Sequence, residues 1–175
     1  MTSSERADIL DTLTKHRELF RFTVQGLTDE QASTRTTTSE LTLGGLVKHV
    51  TATEKEWARF VVEGPREHAV DWASIDWSNP PAEVLEHANG FRMLEGETLA
   101  DLLEAYAEVA AATDALVESV ASLDDGHPLP AAPWFAPGAR WSARRVFMHI
   151  VAETSQHAGH ADIIRESLDG QKSMG

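Results

Sequence analysis

The chain has no cysteine among its 175 residues. This absence excludes disulfide bonds, zinc sites with thiolate ligands and a cysteine nucleophile. Any sulfur chemistry would need a thiol carried by a small molecule. Long apolar runs are also absent, since no stretch approaches the ~18 residues of a membrane-spanning helix. No apolar segment follows the N-terminal residues 1–8, as it would in a signal peptide. We therefore expect a cytoplasmic protein.

Positive charge is scarce. The chain holds 15 Lys and Arg residues against 28 Asp and Glu residues, for a formal net charge of −13. The sequence shows no basic patch, which argues against nucleic acid or an anionic membrane surface as a partner. Hydrophobic residues make up 42% of the chain, so it is not of the disordered class. The length predicts a single domain, 1–175, with a proper core.

Apolar residues recur at helical spacing in four long stretches. These stretches are 4–26, 41–63, 99–122 and 142–169. Thr28 with Gln31, and Thr98 with Asp101, fit capping boxes, which predict a short helical turn near 29–33 and the start of the third long helix. No strand-like alternation is visible. The pattern predicts an all-α fold, a four-helix bundle with two long loops and one or two short extra helices.

The two long connections are residues 65–96 and 123–141. The first is too long for a plain loop, so we expect a lid, a binding loop or a short helix, with residues 80–87 as the helical part. The second contains four prolines, and we expect no regular structure in it.

Four tryptophans lie in these connections. Trp72 and Trp77 belong to the first, and Trp134 and Trp141 to the second. Trp72 and Trp77 either form the wall or lid of a pocket or pack as an outlying part of the core. Trp134 and Trp141 offer aromatic surface just before the last long helix. Histidines 68 and 87 lack the spacing of metal ligands, and we interpret them as surface residues.

Gly44 and Gly45 stand near the start of the second long helix. Glycine weakens a helix by roughly 1 kcal/mol relative to alanine. The pair either permits the close approach of another backbone or a ligand, or is a tolerated weakness near a helix end. The sequence leaves both interpretations open.

The last predicted helix carries a concentration of histidines. His149, His157 and His160 fall within twelve residues, between a good N-cap at Ser142 and a plausible stop at Gly170. Glu153 and His157, at i and i+4, share the helix stripe defined by Val146, Ile150, Ile164 and Leu168. His149 and His160 share a neighbouring stripe at its edge. We therefore expect a carboxylate and an imidazole to point into an apolar interior.

Such a pair is costly unless it is compensated, because a buried carboxylate needs a partner or becomes neutral. The imidazole of His157 supplies one partner. A divalent metal bound by Glu153, His157 and a third ligand from another helix would satisfy the pair more completely. His49, at the edge of the apolar face of the second helix, is the best candidate for that ligand. Spacing alone also permits a histidine that is simply packed there. Three protein ligands around zinc leave one position open, as in catalytic sites.

Two blocks of sequence resemble a known superfamily. Leu41-Thr-Leu-Gly-Gly-Leu-Val-Lys-His49 and His149…Glu153-Thr-Ser-Gln-His157-Ala-Gly-His160 are similar to the DinB-like metalloproteins, and more closely to their actinobacterial branch of mycothiol-dependent S-transferases. The resemblance implies a four-helix bundle with one divalent metal. Its ligands would be His49, Glu153 and His157, similar to the His/Glu/His set of mycothiol-dependent maleylpyruvate isomerases. Zinc is the first expectation; nickel, manganese and iron are alternatives.

The sequence therefore predicts a metal-dependent transferase. In this hypothesis the metal activates a low-molecular-weight thiol such as mycothiol, and the thiolate attacks a small electrophile held under the tryptophan-bearing loops. His160 or His149 would orient the thiol or accept its proton; His160, where many relatives have glutamine, could instead replace a ligand. The alternatives are a metal-dependent hydrolase, a metal- or ligand-binding stress-response bundle without turnover, and a dimeric helical protein whose Glu–His pair gives only specificity. A homodimer is compatible with each.

Overall fold

The computed structural model describes residues 4–66, 75–76, 78–130, 132 and 134–173, with the side chains of 83 and 86–88 excepted. Trp72, Trp77 and His68 lie outside the described residues, as does the side chain of His87. The elements in chain order are α1 (Ser4–Phe22), α2 (Asp29–Ser33), α3 (Leu43–Glu63), α4 (Ala82–Asn89), α5 (Leu99–Ser119), β1 (Gly126–Pro128), β2 (Arg140–Ser142) and α6 (Ala143–Asp169).

The four long helices α1, α3, α5 and α6 form the predicted bundle. Helix α6 packs against both α1 and α3, and α5 packs mainly on α3. Two apolar clusters fill the space between them, one around Phe20, Leu46 and Tyr106 and the other around Leu13 and Phe147. The all-α prediction is confirmed. No helix within the described ranges is long and apolar enough to span a bilayer.

Several predicted capping residues begin or end a helix as expected. Thr28 and Gln31 form a complete capping box at α2, and Ser142 accepts a hydrogen bond from the backbone N–H of Arg145 at the start of α6. Gly170 ends α6 in the left-handed conformation, with φ of 82°. Helix α1 stops at Phe22, earlier than predicted, because the next backbone N–H groups bond three residues back, as in Thr23 to Phe20.

The second long connection contains regular structure, so that prediction is wrong. Strands β1 and β2 pair antiparallel, with Gly126 opposite Ser142 and Pro128 opposite Arg140. A Cβ on Gly126 would lie 2.1 Å from the carbonyl oxygen of Trp141, so only glycine allows this close pairing. The two strands pair because the loop between them brings distant residues together. A strand of three residues is too short to show an alternating pattern in the sequence. The pairing fixes Trp141 beside the start of α6.

The Gly44–Gly45 pair permits the close approach of another part of the chain. It is therefore not merely a tolerated weakness near the end of the helix. A Cβ on Gly45 would lie 2.0 Å from the carbonyl oxygen of Phe91, and one on Gly44 would lie 2.1 Å from the Sδ of Met93. The segment that follows α4 therefore rests directly on the backbone of α3. This contact brings Phe91 next to His49, where the two rings stack with centroids 4.1 Å apart.

Candidate metal centre

Three side chains from two helices converge at the α3–α6 contact. His49 comes from α3, and Glu153 and His157 come from α6, one turn apart. Each offers one possible ligand atom, and these atoms all lie within 4.8 Å of one another. The rings of His49 and His157 meet edge to face, with centroids 4.7 Å apart and planes at 78°. The structure thus brings together the three residues that the sequence predicts as metal ligands.

The group lies at the edge of the apolar interior, not within it. The side chain of His157 is 11% exposed and that of Glu153 is 27% exposed. On the same helix Val146 and Ile150 are fully buried. The expectation that the pair points into the core is therefore only partly correct, since the side chains of Glu153 and His157 lie at the border between the core and the surface.

The carboxylate of Glu153 is surrounded by imidazoles. His157, whose Nε2 lies 3.6 Å from Oε2, is the main cause that lowers the pKa of Glu153. Burial opposes this effect, and the nearby rings of His149 and His49 add to it. The carboxyl group is thus ionised at neutral pH, which is the state that a metal requires of a carboxylate ligand.

His149 faces the other oxygen of the same carboxylate. Its Nε2 lies 3.3 Å from Oε1 of Glu153. Burial lowers the pKa of His149; the charge of Glu153 opposes this change, and that of Arg145 adds to it. The imidazole packs edge to face against both Trp57 and Trp141, with ring centroids 4.8 and 4.9 Å away.

His160 lies on the far side of His157. The two Nδ1 atoms are 3.5 Å apart, whereas the Nε2 of His157 faces Glu153. His160 is therefore a neighbour of a candidate ligand and stands outside the three-residue group. Its predicted catalytic role remains a prediction, as does that of His149.

A cavity of about 700 Å³ extends from His49 along α3. Its aromatic walls include Trp57, Phe60, Trp134 and Phe135. The Trp57 and Trp141 rings stack with centroids 4.8 Å apart, so the two tryptophans join α3 to the β1–β2 segment. The indole of Trp134 is a cavity wall and is 61% exposed. Trp134 thus presents the aromatic surface that the sequence predicts for it.

Charged residues of α3 and the segment after it line another part of the cavity. Arg59 and Arg66 both donate to the carboxylate of Glu56, at N–O distances between 2.6 and 3.1 Å. His49, Glu56 and Arg59 fall along one side of the helix. The cavity therefore offers one candidate metal ligand, His49, together with an aromatic surface and an ion-pair cluster.

The donor set suits a divalent cation such as zinc. Zinc takes histidine nitrogen and carboxylate oxygen at about 2.0–2.2 Å, so donors around one tetrahedral ion lie about 3.4 Å apart. The three donors, now within 4.8 Å of one another, need to close by little more than about 1 Å. One carboxylate and two imidazoles are borderline ligands that also fit nickel, manganese or iron. The residues present therefore fit the group that the resemblance implies.

Comparison with known proteins agrees with this arrangement. The sequence model of a family described as Mycothiol-S-transferase matches residues 8–170. The chain belongs to this family. Membership supports a function of the mycothiol S-transferase type and accords with the helical fold. No curated protein matches the chain.

A solved structure shares the fold. It is titled "Crystal structure of the conserved protein of locus from Enterococcus faecalis", and it aligns with a TM-score of 0.66 over 98% of this chain and 100% of that one. The sequence identity is 15%, so this likeness shows the architecture alone.

Sequence reasoning missed two contributors to the site. Phe91, which stacks on His49, lies in the long first connection, and the only signal for it was the Gly44–Gly45 pair on the facing helix. Trp57 stands seven residues after Val50, and this helical spacing predicts a buried side chain. It is only partly buried, and it contacts both the cavity and His149.

Proposed function

We propose that this protein is a metal-dependent S-transferase that joins the sulfur of mycothiol, or a similar low-molecular-weight thiol, to an electrophilic substrate. The observation that supports it best is the convergence of His49, Glu153 and His157 beside a cavity of about 700 Å³. Family membership supports the thiol, and the absence of cysteine from the chain means that the sulfur must come from a ligand.

In this proposal His49, Glu153 and His157 hold one divalent cation. A cation held by these residues would lower the pKa of a bound thiol, so that thiolate would be present at neutral pH. The two neutral imidazoles and one carboxylate contribute a single negative charge. They leave the site with net positive charge, which favours an anionic sulfur over a neutral one.

His160 is our candidate for the residue that accepts the thiol proton, at Nε2. Its Nδ1 faces the Nδ1 of His157 at 3.5 Å, so the ring adjoins one of the candidate ligands. An imidazole has a pKa near neutrality and can both take up and return a proton. The proton then passes to water or to the leaving group of the substrate.

The aromatic walls hold the electrophile. Trp57, Phe60 and Trp134 present flat apolar surface in the cavity that extends from His49, which suits a substrate with an apolar or aromatic body. The sulfur forms a bond to an electrophilic carbon, and a leaving group departs with the electrons of its bond. If the substrate has an activated double bond, the neighbouring carbon takes up a proton instead.

Thiol consumption tests the proposal. Zinc-loaded protein, mycothiol and a chromogenic electrophile are mixed, and product formation is compared with that of His157→Ala and of chelator-treated protein. Gln156→Ala, at the exposed neighbouring position of α6, is the matched control. We expect turnover by the wild type and the control, and its loss in the other two samples. Full transfer by His157→Ala would refute the mechanism, and zinc binding without thiol consumption would favour a non-catalytic bundle.

A further inference from the structure

The two oxygens of Glu153 face different imidazoles. Oε2 lies 3.6 Å from the Nε2 of His157, whereas Oε1 lies 3.3 Å from the Nε2 of His149. His149 precedes Glu153 by one turn of α6 and is not in the group of three candidate ligands. The carboxylate thus lies between an imidazole that belongs to the candidate centre and one that does not.

The His149 ring packs edge to face against a stacked pair of indoles. The ring planes of Trp57 and Trp141 meet it at 82° and 65°, with centroids less than 5 Å away. The two indoles stack on each other at 22°, and Arg145 covers Trp141, with the guanidinium carbon 4.6 Å from the ring centre. Three elements, α3, β2 and α6, therefore fix the direction in which Nε2 points.

We infer that His149 is a positioning residue for Glu153. It donates a hydrogen bond from Nε2–H to Oε1, so that Oε2 alone is turned towards His49 and His157. This inference rests on the proposed function, because it assigns a role toward the same cation. It differs from the role of thiol base, since His149 acts here through the carboxylate and touches neither thiol nor electrophile.

A fixed carboxylate matters for affinity. Without a partner for Oε1, the Glu153 side chain can rotate about its own bonds, and that freedom must be lost when a cation binds. Groups that orient metal ligands in this way are worth about 10- to 100-fold in metal affinity. A residue that only packs against Trp57 and Trp141 would have no such effect, and this difference makes the inference testable.

Zinc affinity of the purified protein, measured by competition with a chelating dye, separates the two roles. His149→Phe keeps an aromatic ring against the two indoles but loses the donor, and His149→Gln keeps a donor near the position of Nε2. Met148→Phe, at the exposed neighbouring position, is the control. We expect zinc binding to weaken about 10- to 100-fold in His149→Phe, and to stay within a few-fold of the wild type in His149→Gln and Met148→Phe.

Two results would overturn the inference while leaving the proposed function intact. One is a zinc affinity of His149→Phe equal to that of the wild type. The other is an equal loss of zinc affinity in His149→Phe and His149→Gln, which would show that packing of the His149 ring is responsible. If the Phe variant does not fold, judged by circular dichroism of the zinc-free protein, His149→Met takes its place as the variant without a donor. Absence of zinc binding in the wild type would overturn the proposed function and this inference together.

Discussion

Arg17 and Glu54 form a two-point ion pair inside the bundle. The Nη2 of Arg17 lies 2.5 Å from Oε1 of Glu54, and its Nε lies 3.3 Å from Oε2. The Glu54 side chain is 1% exposed, which makes it far more buried than Glu153. Arg17 also donates to Asp114 of α5 from Nη1 at 2.7 Å. One guanidinium therefore links α1, α3 and α5.

We predict that Arg17→Met destabilises the fold strongly. The change leaves the Glu54 carboxylate buried without its partner, which typically costs about 3–5 kcal/mol. The free energy of unfolding from urea titration measures the loss. The double variant Arg17→Met/Glu54→Leu should recover most of it, because no unpaired charge then remains buried. A loss below about 1 kcal/mol in the single variant, as expected of an exposed pair, would contradict this role.

Two glycines should respond to alanine in opposite ways. Gly45→Ala places a methyl group against the Phe91 carbonyl, at a position 2.0 Å from its oxygen. We expect about 1–3 kcal/mol of destabilisation from this overpacking. Gly159, inside α6, has nothing within 4 Å of an added Cβ. Gly159→Ala should stabilise by about 0.5–1 kcal/mol, since alanine favours a helix.

Urea unfolding of both glycine variants under one set of conditions checks these signs. Equal changes in the free energy of unfolding would show that helix propensity alone determines the effect of alanine at Gly45 and Gly159. Because Phe91 stacks on His49, we also expect Gly45→Ala to weaken zinc binding. Gly159→Ala should bind zinc as the wild type does.

Trp134 should affect substrate binding without affecting the fold. Its indole is 61% exposed and lines the cavity beside His49. Trp134→Ala removes aromatic surface worth about 0.5–1.5 kcal/mol, so we expect KM for the electrophile to rise about 3- to 10-fold. Steady-state kinetics with the thiol held saturating measures it. Phe22→Ala removes an exposed aromatic ring that lines a different cavity, and an equal rise in that variant would rule out a specific contact.

Zinc should stabilise the fold through the three candidate ligands. A ligand that binds only the folded state, at 100 times its Kd, adds about 2.7 kcal/mol to the free energy of unfolding. We expect a zinc-dependent rise in Tm for the wild type and for Gln156→Ala. His157→Ala should show none. A rise of the same size in His157→Ala would place the stabilising zinc elsewhere on the chain.

Helical spacing predicted part of the site, and the family resemblance predicted the rest. Periodicity places Glu153 and His157 on one stripe and His49 beside an apolar face, the resemblance selects these three as ligands, and the packing of α3 on α6 brings them together. The two-stranded β1–β2 pair could not be predicted in this way. It depends on where the ends of the loop are held and on the space that Gly126 leaves for the Trp141 carbonyl.

The buried ion pair left a signal that sequence reasoning overlooked. Glu54 follows Val47 by seven residues and Val50 by four, and Arg17 stands between Leu13 and Phe20 at helical spacing. Both therefore lie on the buried stripes of their own helices. What one helix cannot show is the partner, because Arg17 and Glu54 meet only when α1 packs beside α3.

Metal content is the most direct test of the central claim. Elemental analysis of untagged protein purified without chelator should be compared with that of Glu153→Ala, His157→Ala and Gln156→Ala prepared alike. The account predicts about one equivalent of a divalent metal in the wild type and in Gln156→Ala, and its loss in the other two. Wild-type protein that holds no metal even after incubation with zinc, nickel and manganese would contradict it.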